Sequence, residues 1–417
     1  MDKLFLIACF LIPFENFWFA PSSGWATIAP IVFFVYVVLN FKYAIRSLEK
    51  NSSLIVILIY GLLITLVNYL FMEVEIGNLV DTLISVALGI SFYFAIDIYF
   101  VQKGKQVETI VNYLVMAYSL SMFIGIFEFL VVRLGSIDGI RLIMMLSKRN
   151  YIQYGRVQFT FTEPSFIGMH IYGVLFPIYV LTRDKKIKYI MILYIFLAIV
   201  MGCSARVVFD TAVFMVIFLF YKIDLKKAKN IFIVCSIVVS IIMGGLYIYN
   251  ANYRIRMIVN QGIYADGSLA TRWFRINASL KGYQKNKLHT LIGYGYGNAI
   301  VPLRDGFVEA RGEYKNPNTW EINGLINPNI SSDSVAYCLY TRWISELGLI
   351  GFLSIVFYFL KYWRKVPDGG MKIYFWLVCY LYIQFDSYAF YSLWIMLLLF
   401  RNSRFAMLGK KEIEDER

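Results

Sequence analysis

SLIVILIYGLLITLVNYLF, residues 53–71, carries no charged side chain. About 20 apolar residues in a helix match the hydrocarbon layer of a bilayer, where a chain crossing as a single segment satisfies its own backbone only as a helix. The stretch therefore reads as a spanning helix. The same template marks runs near 4–20, 25–41, 79–100, 109–132, 165–182, 187–202, 206–221, 230–249, 343–360, 371–386 and 388–400, giving about twelve spans in all. The predicted fold class is an all-α polytopic membrane protein.

Composition agrees. Of 417 residues, 59% are hydrophobic and 16% charged, with mean hydropathy +0.62, whereas soluble domains are about 25% charged. The N-terminus, MDKLFLIACFLIPFENFWFA, has the outline of a signal peptide, and Leu6-Ile7-Ala8-Cys9 that of a lipoprotein box. Its apolar run before Cys9 is too short for either, so it is read as the first span. The five cysteines, Cys9, Cys203, Cys235, Cys338 and Cys379, are scattered without a CxxC pair and imply neither a disulfide framework nor a metal site.

The net charge of +13 is distributed as a topology signal, with no aromatic and basic interleaving of a nucleic-acid surface. Every second short loop is basic: Lys42, Arg46 and Lys50; Lys103 and Lys105; Arg183, Lys185, Lys186 and Lys188; Lys222, Lys226, Lys227 and Lys229; Lys361, Arg364, Lys365 and Lys372. The intervening short loops at 21–24, 72–78 and 387 have no Lys or Arg. The positive-inside rule then puts both termini in the cytoplasm, including the acidic tail EIEDER.

Two loops on the opposite side break the pattern. The segment 133–163 holds Arg133, Arg141, Lys148, Arg149 and Arg156, and 250–342 is the longest polar stretch of the chain. The expected organisation is 1–249 as spans one to nine with the external loop 133–163, 250–342 as a large helical external loop, 343–400 as spans ten to twelve, and 401–417 as a cytoplasmic tail. Within the first loop, RLIMMLSKRN (141–150) has helical apolar spacing and a basic end, so it reads as a helix on the membrane surface or over the bundle.

The candidate site residues lie in or beside these loops. Residues 250–290 carry Arg254, Arg256, Arg272, Arg275, Lys281, Lys285 and Lys287 against one acid, Asp266. In SLATRWFRINASLKGY (268–283), Ser268 is a plausible helix N-cap, and Arg272 and Arg275 stand three apart on one helix face. Two guanidinium forks on one face match a diphosphate; the alternative is a solvated basic face. Arg206, in Gly202-Cys203-Ser204-Ala205-Arg206, is either an interface anchor or a cation beside a cavity.

Phe161-Thr162-Glu163-Pro164-Ser165 leads into a span, with Pro164 suited to a first helical turn and Thr162 or Glu163 to its cap. Glu163 is also a candidate base at the membrane face, while His170 reads as a polar contact between helices. Asp333, in Ser331-Ser332-Asp333-Ser334, is either a cap or a second candidate base. Gly293-Tyr294-Gly295-Tyr296-Gly297 lacks the strand of a dinucleotide site and the lysine of a P-loop, and reads as a flexible turn. No DxD pair, HExxH or P-loop occurs. The pattern suggests neither a metal-dependent nucleotide-sugar transferase nor an ATP-driven transporter, and no metal or cofactor is expected.

The order of FTEPS, the Gly202–Arg206 turn, the arginine-rich loop, LIGYGYG from Leu291 and ISELGLIGF from Ile344 resembles the Wzy-type O-antigen polymerases, in the superfamily that also holds the O-antigen ligases. The resemblance covers residues 150–352. It implies a GT-C-like glycosyltransferase of the bacterial inner membrane with a periplasmic active site. Such enzymes join undecaprenyl-diphosphate-linked repeat units and release undecaprenyl diphosphate; membrane lipids and a polysaccharide chain-length regulator are the other partners implied. Carried onto this chain, Arg206, Arg254, Arg256, Arg272 and Arg275 would hold the diphosphate, with Arg206 also counted in the catalytic set beside Glu163 and Asp333, either of which would orient or deprotonate the acceptor hydroxyl. The ligases carry a histidine shortly before the ELGLIG-like helix, where this chain has Tyr337 and, a turn earlier, Asp333; this favours polymerase over ligase. The rival of another class is a lipid-linked oligosaccharide flippase, to which Asp97, Glu128, His170 and Asp210 inside spans would be suited.

Overall fold

The computed structural model describes residues 1–17, 27–71, 76–147, 157–201, 205–222, 253–314, 320–325, 338–363, 366 and 369–401, with a few single positions between 239 and 250. Regular structure in these residues is entirely helical. In chain order the helices are α1 (Asp2–Leu11), α2 (Ile28–Leu39), α3 (Phe41–Lys50), α4 (Ser52–Phe71), α5 (Ile76–Gln102), α6 (Glu108–Leu134), α7 (Ile137–Leu146), α8 (Phe166–Thr182), α9 (Lys185–Val200) and α10 (Ala205–Lys222). There follow α11 (Tyr253–Gln261), α12 (Gly267–Lys285), α13 (Lys287–Ile292), α14 (Ile300–Asp305), α15 (Phe307–Glu313), α16 (Trp320–Gly324), α17 (Leu339–Trp363), α18 (Gly370–Leu381) and α19 (Tyr391–Arg401).

Four of these, α4, α5, α6 and α17, are long and apolar enough to cross a membrane, and a fifth crossing results if α2 and α3, bent by 96°, are taken together. Of the other expected spans, the run at 206–221 forms one continuous helix, α10, and several others are shorter. α1 stops at Leu11: Ile12 keeps helical backbone, and Pro13, which has no N–H, cannot continue the hydrogen-bond ladder. Helices α8, α18 and α19 are short apolar pieces, and the run expected at 230–249 lies almost wholly outside the described residues.

Two helices show opposite relations to their surroundings. Only Gly61, Thr65 and Asn68 of α4 are buried, while Val56, Leu63, Leu66 and Leu70 point outward. A helix with its polar groups inward and its apolar groups outward fits a lipid solvent and not water. α19 is buried from Tyr391 to Phe400 and forms a pillar, apolar on nearly every side, against which α5, α8, α17 and α18 pack.

The long polar segment folds as a helical layer with its own core of Ala270, Phe274, Ala278, Ile300, Leu303, Phe307 and Ala310. Its main helix, α12, begins at Gly267. The cap is Asp266, whose carboxylate accepts from the Leu269 N–H at 2.8 Å, and not the expected Ser268.

A buckle joins this layer to the membrane helices. Gly348 interrupts α17 with φ 67° and ψ 179°, so the carbonyls of Ser345 and Glu346 lose their normal partners four residues on. The glycine loop fills them: Tyr294 N–H donates to Ser345 O at 2.8 Å and Gly295 N–H to Glu346 O at 2.9 Å. Tyr296 N–H donates to Thr65 Oγ1 (2.8 Å) and Gly297 N–H to Glu346 Oε1 (3.3 Å), while Asn68 and Tyr60 of α4 donate to the carbonyls of Gly293 and Ile292. Irregular backbone at membrane depth persists only where protein satisfies it in this way. Residues 293–300 are all buried, so the expected flexible turn is instead a packed joint. Below it, fully buried Arg342 donates to Glu346 Oε1 (3.1 Å), Thr82 Oγ1 (2.9 Å) and Asp386 O (3.2 Å), and lies over the Tyr388 ring at 4.7 Å.

Candidate functional site

The most chemically suggestive cluster of the bundle is at the start of α10. Arg206 stands in its first turn and Asp210 one turn later, both buried, with Nε 3.7 Å from Oδ2. That separation is longer than a direct N–H···O bond. Tyr380 of α18 donates its hydroxyl to Asp210 Oδ1 at 2.9 Å, and Gln384 donates to the Tyr380 oxygen at 3.3 Å. Gly168 of α8 lets the carboxylate approach: a Cβ there would lie 2.0 Å from Asp210 Oδ2.

Two further charged groups act on this pair. Arg272 of α12 interacts electrostatically with both Arg206 and Asp210, and Glu163 interacts with Arg206. Three of the residues selected from the sequence, Glu163, Arg206 and Arg272, thus come from separate elements into electrostatic range of one centre, Arg206. Arg272 is half-buried, whereas Glu163 is exposed and accepts the Ser165 hydroxyl at 2.7 Å. On α12 the positions 272, 275, 279 and 283 share one stripe. Arg275 and Ser279 on it are buried, and Tyr283 bonds Thr341 O and Ser345 Oγ of α17. The arginine stripe is therefore turned toward the bundle, while Ala270, Phe274 and Ala278 hold the loop core.

The neighbouring Thr162 is held by a network that the sequence did not reveal. Glu15, beyond α1, accepts from the Thr162 N–H at 3.1 Å and pairs with His170 Nε2, and His170 Nδ1 meets the Tyr118 hydroxyl at 2.7 Å. The Glu15 and Asn16 N–H groups both donate to Thr160 O. Neither Thr162 nor Glu163 supplies the expected cap for α8: Thr162 is held by Glu15, Glu163 takes the Ser165 hydroxyl, and Ser165 occupies the cap position. Pro164 precedes the helix in a turn closed by Phe166 N–H to Glu163 O at 3.0 Å.

Known protein families, curated proteins and solved structures offer no match to this chain.

Other expected site residues are not brought to the cluster. Arg256 is exposed on α11, lies over the Tyr249 ring at 5.8 Å and donates to the Tyr249 and Asn250 carbonyls, so it fastens the start of the loop. Asp333, the Arg254 side chain and the 202–204 turn before Arg206 lie outside the described residues. Sequence reasoning also passed over Tyr380 and Gln384, and had Asp210 only as an isolated charge within a span. Its signal was the spacing to Arg206, four residues on one helix face. The cluster offers two guanidinium groups, one buried carboxylate that balances Arg206, and one carboxylate open to the outside. Such a site can take an anion with several oxygens and place a hydroxyl beside a base.

Proposed function

We propose that the chain is a membrane glycosyltransferase that polymerises undecaprenyl-diphosphate-linked oligosaccharide repeat units at the periplasmic face of the bacterial inner membrane. The observation that carries this reading is that Arg206, buried at the start of the apolar helix α10, and Arg272, on the polar layer, lie within electrostatic range of each other, with Glu163 and Asp210 acting on Arg206. A diphosphate at the bilayer surface is recognised where cations from both sides of the boundary converge.

In this reading the diphosphate of the growing chain lies against Arg206 and Arg272, with Arg275 adding to the field. A sugar hydroxyl of the second unit attacks the anomeric carbon; the bond from that carbon to the diphosphate oxygen breaks, and the hydroxyl proton passes to a carboxylate, Glu163 or Asp333. Negative charge grows on the leaving diphosphate as the sugar acquires oxocarbenium character. Arginines already in place stabilise that charge more in a site with little water than they would in bulk.

The rival reading as a carrier of the same lipid draws on the buried Glu15–His170–Tyr118 chain, since ionisable groups inside a bundle mark transport routes in other membrane proteins. One assay separates them. Purified protein given a synthetic undecaprenyl-diphosphate repeat unit, with chelator and without nucleotide, is expected to produce a ladder of multiples on a gel. Transfer of the lipid between liposome leaflets with no ladder would replace the polymerase by the carrier.

A further inference from the structure

The end of the bundle away from the glycine loop carries a second surface. Thr65 and Asn68, late in α4, meet that loop, so Ser52 and the helix before it, α3, lie at the opposite end. α2 ends at Asn40, which is non-helical (φ −109°, ψ 32°) and whose side-chain amide donates back to Tyr36 O at 2.8 Å; α3 then departs at 96°. α3 therefore runs across the axis of the apolar helix α2.

At 100° per residue α3 has three faces. Tyr43, Ala44 and Ser47 turn to the protein, where Ser47 bonds Asp97 and accepts from Gln102, and Asn51 just beyond α3 takes the Tyr93 hydroxyl at 2.7 Å. Phe41, Ile45 and Leu48 form a second face and are 64%, 39% and 37% exposed. Lys42, Arg46, Glu49 and Lys50 form the third, also exposed. Nearby Lys103 and Lys105 both pair with Asp2, at 2.7 and 3.2 Å.

We propose that α3 is an interfacial helix that binds acidic phospholipid headgroups through Lys42, Arg46 and Lys50, with Phe41, Ile45 and Leu48 set among the acyl chains. A topology signal alone would need only basic residues in a loop. Here the same residues stand on a helix whose flank is fastened to the bundle, whose apolar triplet faces outward, and whose charged face has three cations to one anion. That arrangement is what an amphipathic helix needs to lie in a headgroup layer of negative charge. The proposal is independent of any glycosyl transfer.

The test uses the full chain in nanodiscs of equal phosphatidylglycerol and phosphatidylcholine, counting the lipids retained on the protein by native mass spectrometry. The parent is expected to retain phosphatidylglycerol preferentially. K42Q/R46Q/K50Q should lower that preference by roughly five-fold for each cation that lay at the surface, and F41S/I45S/L48S should lower it with every charge kept. The matched variant K185Q/K186Q/K188Q, which removes the same charge from α9, should stay near the parent; monodisperse elution confirms that each variant is folded. Equal preference in the parent and K42Q/R46Q/K50Q overturns the proposal. So does an equal fall in the two glutamine variants, a parent that does not discriminate, or an F41S/I45S/L48S chain that keeps the preference, which would hand the surface to a soluble partner or a second copy.

Discussion

Gly348→Ala is expected to leave little folded protein. The residue sits at φ 67° and ψ 179°, a region open essentially to glycine, where any other side chain costs about 1–3 kcal/mol before its contacts are counted. Its Cβ would lie 2.4 Å from Gly293 N, Ile292 C and Leu291 O, all backbone atoms without a rotamer to move. Relief requires the glycine loop to withdraw, which would strand the Tyr294 and Gly295 N–H groups and the carbonyls they fill, each at about 1–3 kcal/mol. The sum is a large part of the roughly 5–15 kcal/mol that holds a typical domain together. Thermal unfolding of detergent-purified protein, followed by the monodisperse elution peak, checks it against Gly77→Ala, where a Cβ meets nothing within 4 Å. Equal melting of the two variants would remove the buckle from the account.

For the proposed polymerisation, Arg272→Ala should lower the rate by a factor on the order of 10²–10³, the loss found when one donor to a developing oxyanion is removed, with protein yield unchanged because the side chain is only half-buried. Arg206→Ala should be as inactive but also less stable, since it leaves the fully buried Asp210 without the guanidinium beside it. Arg256→Ala is the discriminating control. Its guanidinium is engaged with Tyr249 and Asn250, so activity should stay near the parent. Initial rates of ladder formation at matched protein concentration measure all three. A parental rate for Arg272→Ala, or a loss in Arg256→Ala as deep as that in Arg272→Ala, would contradict the assignment.

The helical, lipid-facing character was legible because it follows from composition over long windows: α4 reads from its nineteen-residue run as it stands. The number of spans was not. A hydropathy window cannot see that Asn40 turns the chain by 96°, or that α19 is buried inside the bundle from Tyr391 to Phe400. Arg206 and Arg272 were legible as cations in unusual places. Their electrostatic coupling was not, because the polar layer is joined to the bundle through two glycine motifs whose partners, Ser345, Glu346, Thr65 and Asn68, are spread over distant segments. Glu15 was hidden for the same reason: only the folded chain brings it to Thr162 and His170.

The most direct test of the shared arginine site is equilibrium binding of undecaprenyl diphosphate and undecaprenyl monophosphate to the purified parent, R206K, R272A and the double variant. The account predicts tighter binding of the diphosphate by the parent, loss of that preference in either single variant, and little further loss in the double, because both residues hold the same ligand. A parent that binds the two lipids alike, or single variants that keep the preference, would show that Arg206 and Arg272 do not form one diphosphate site.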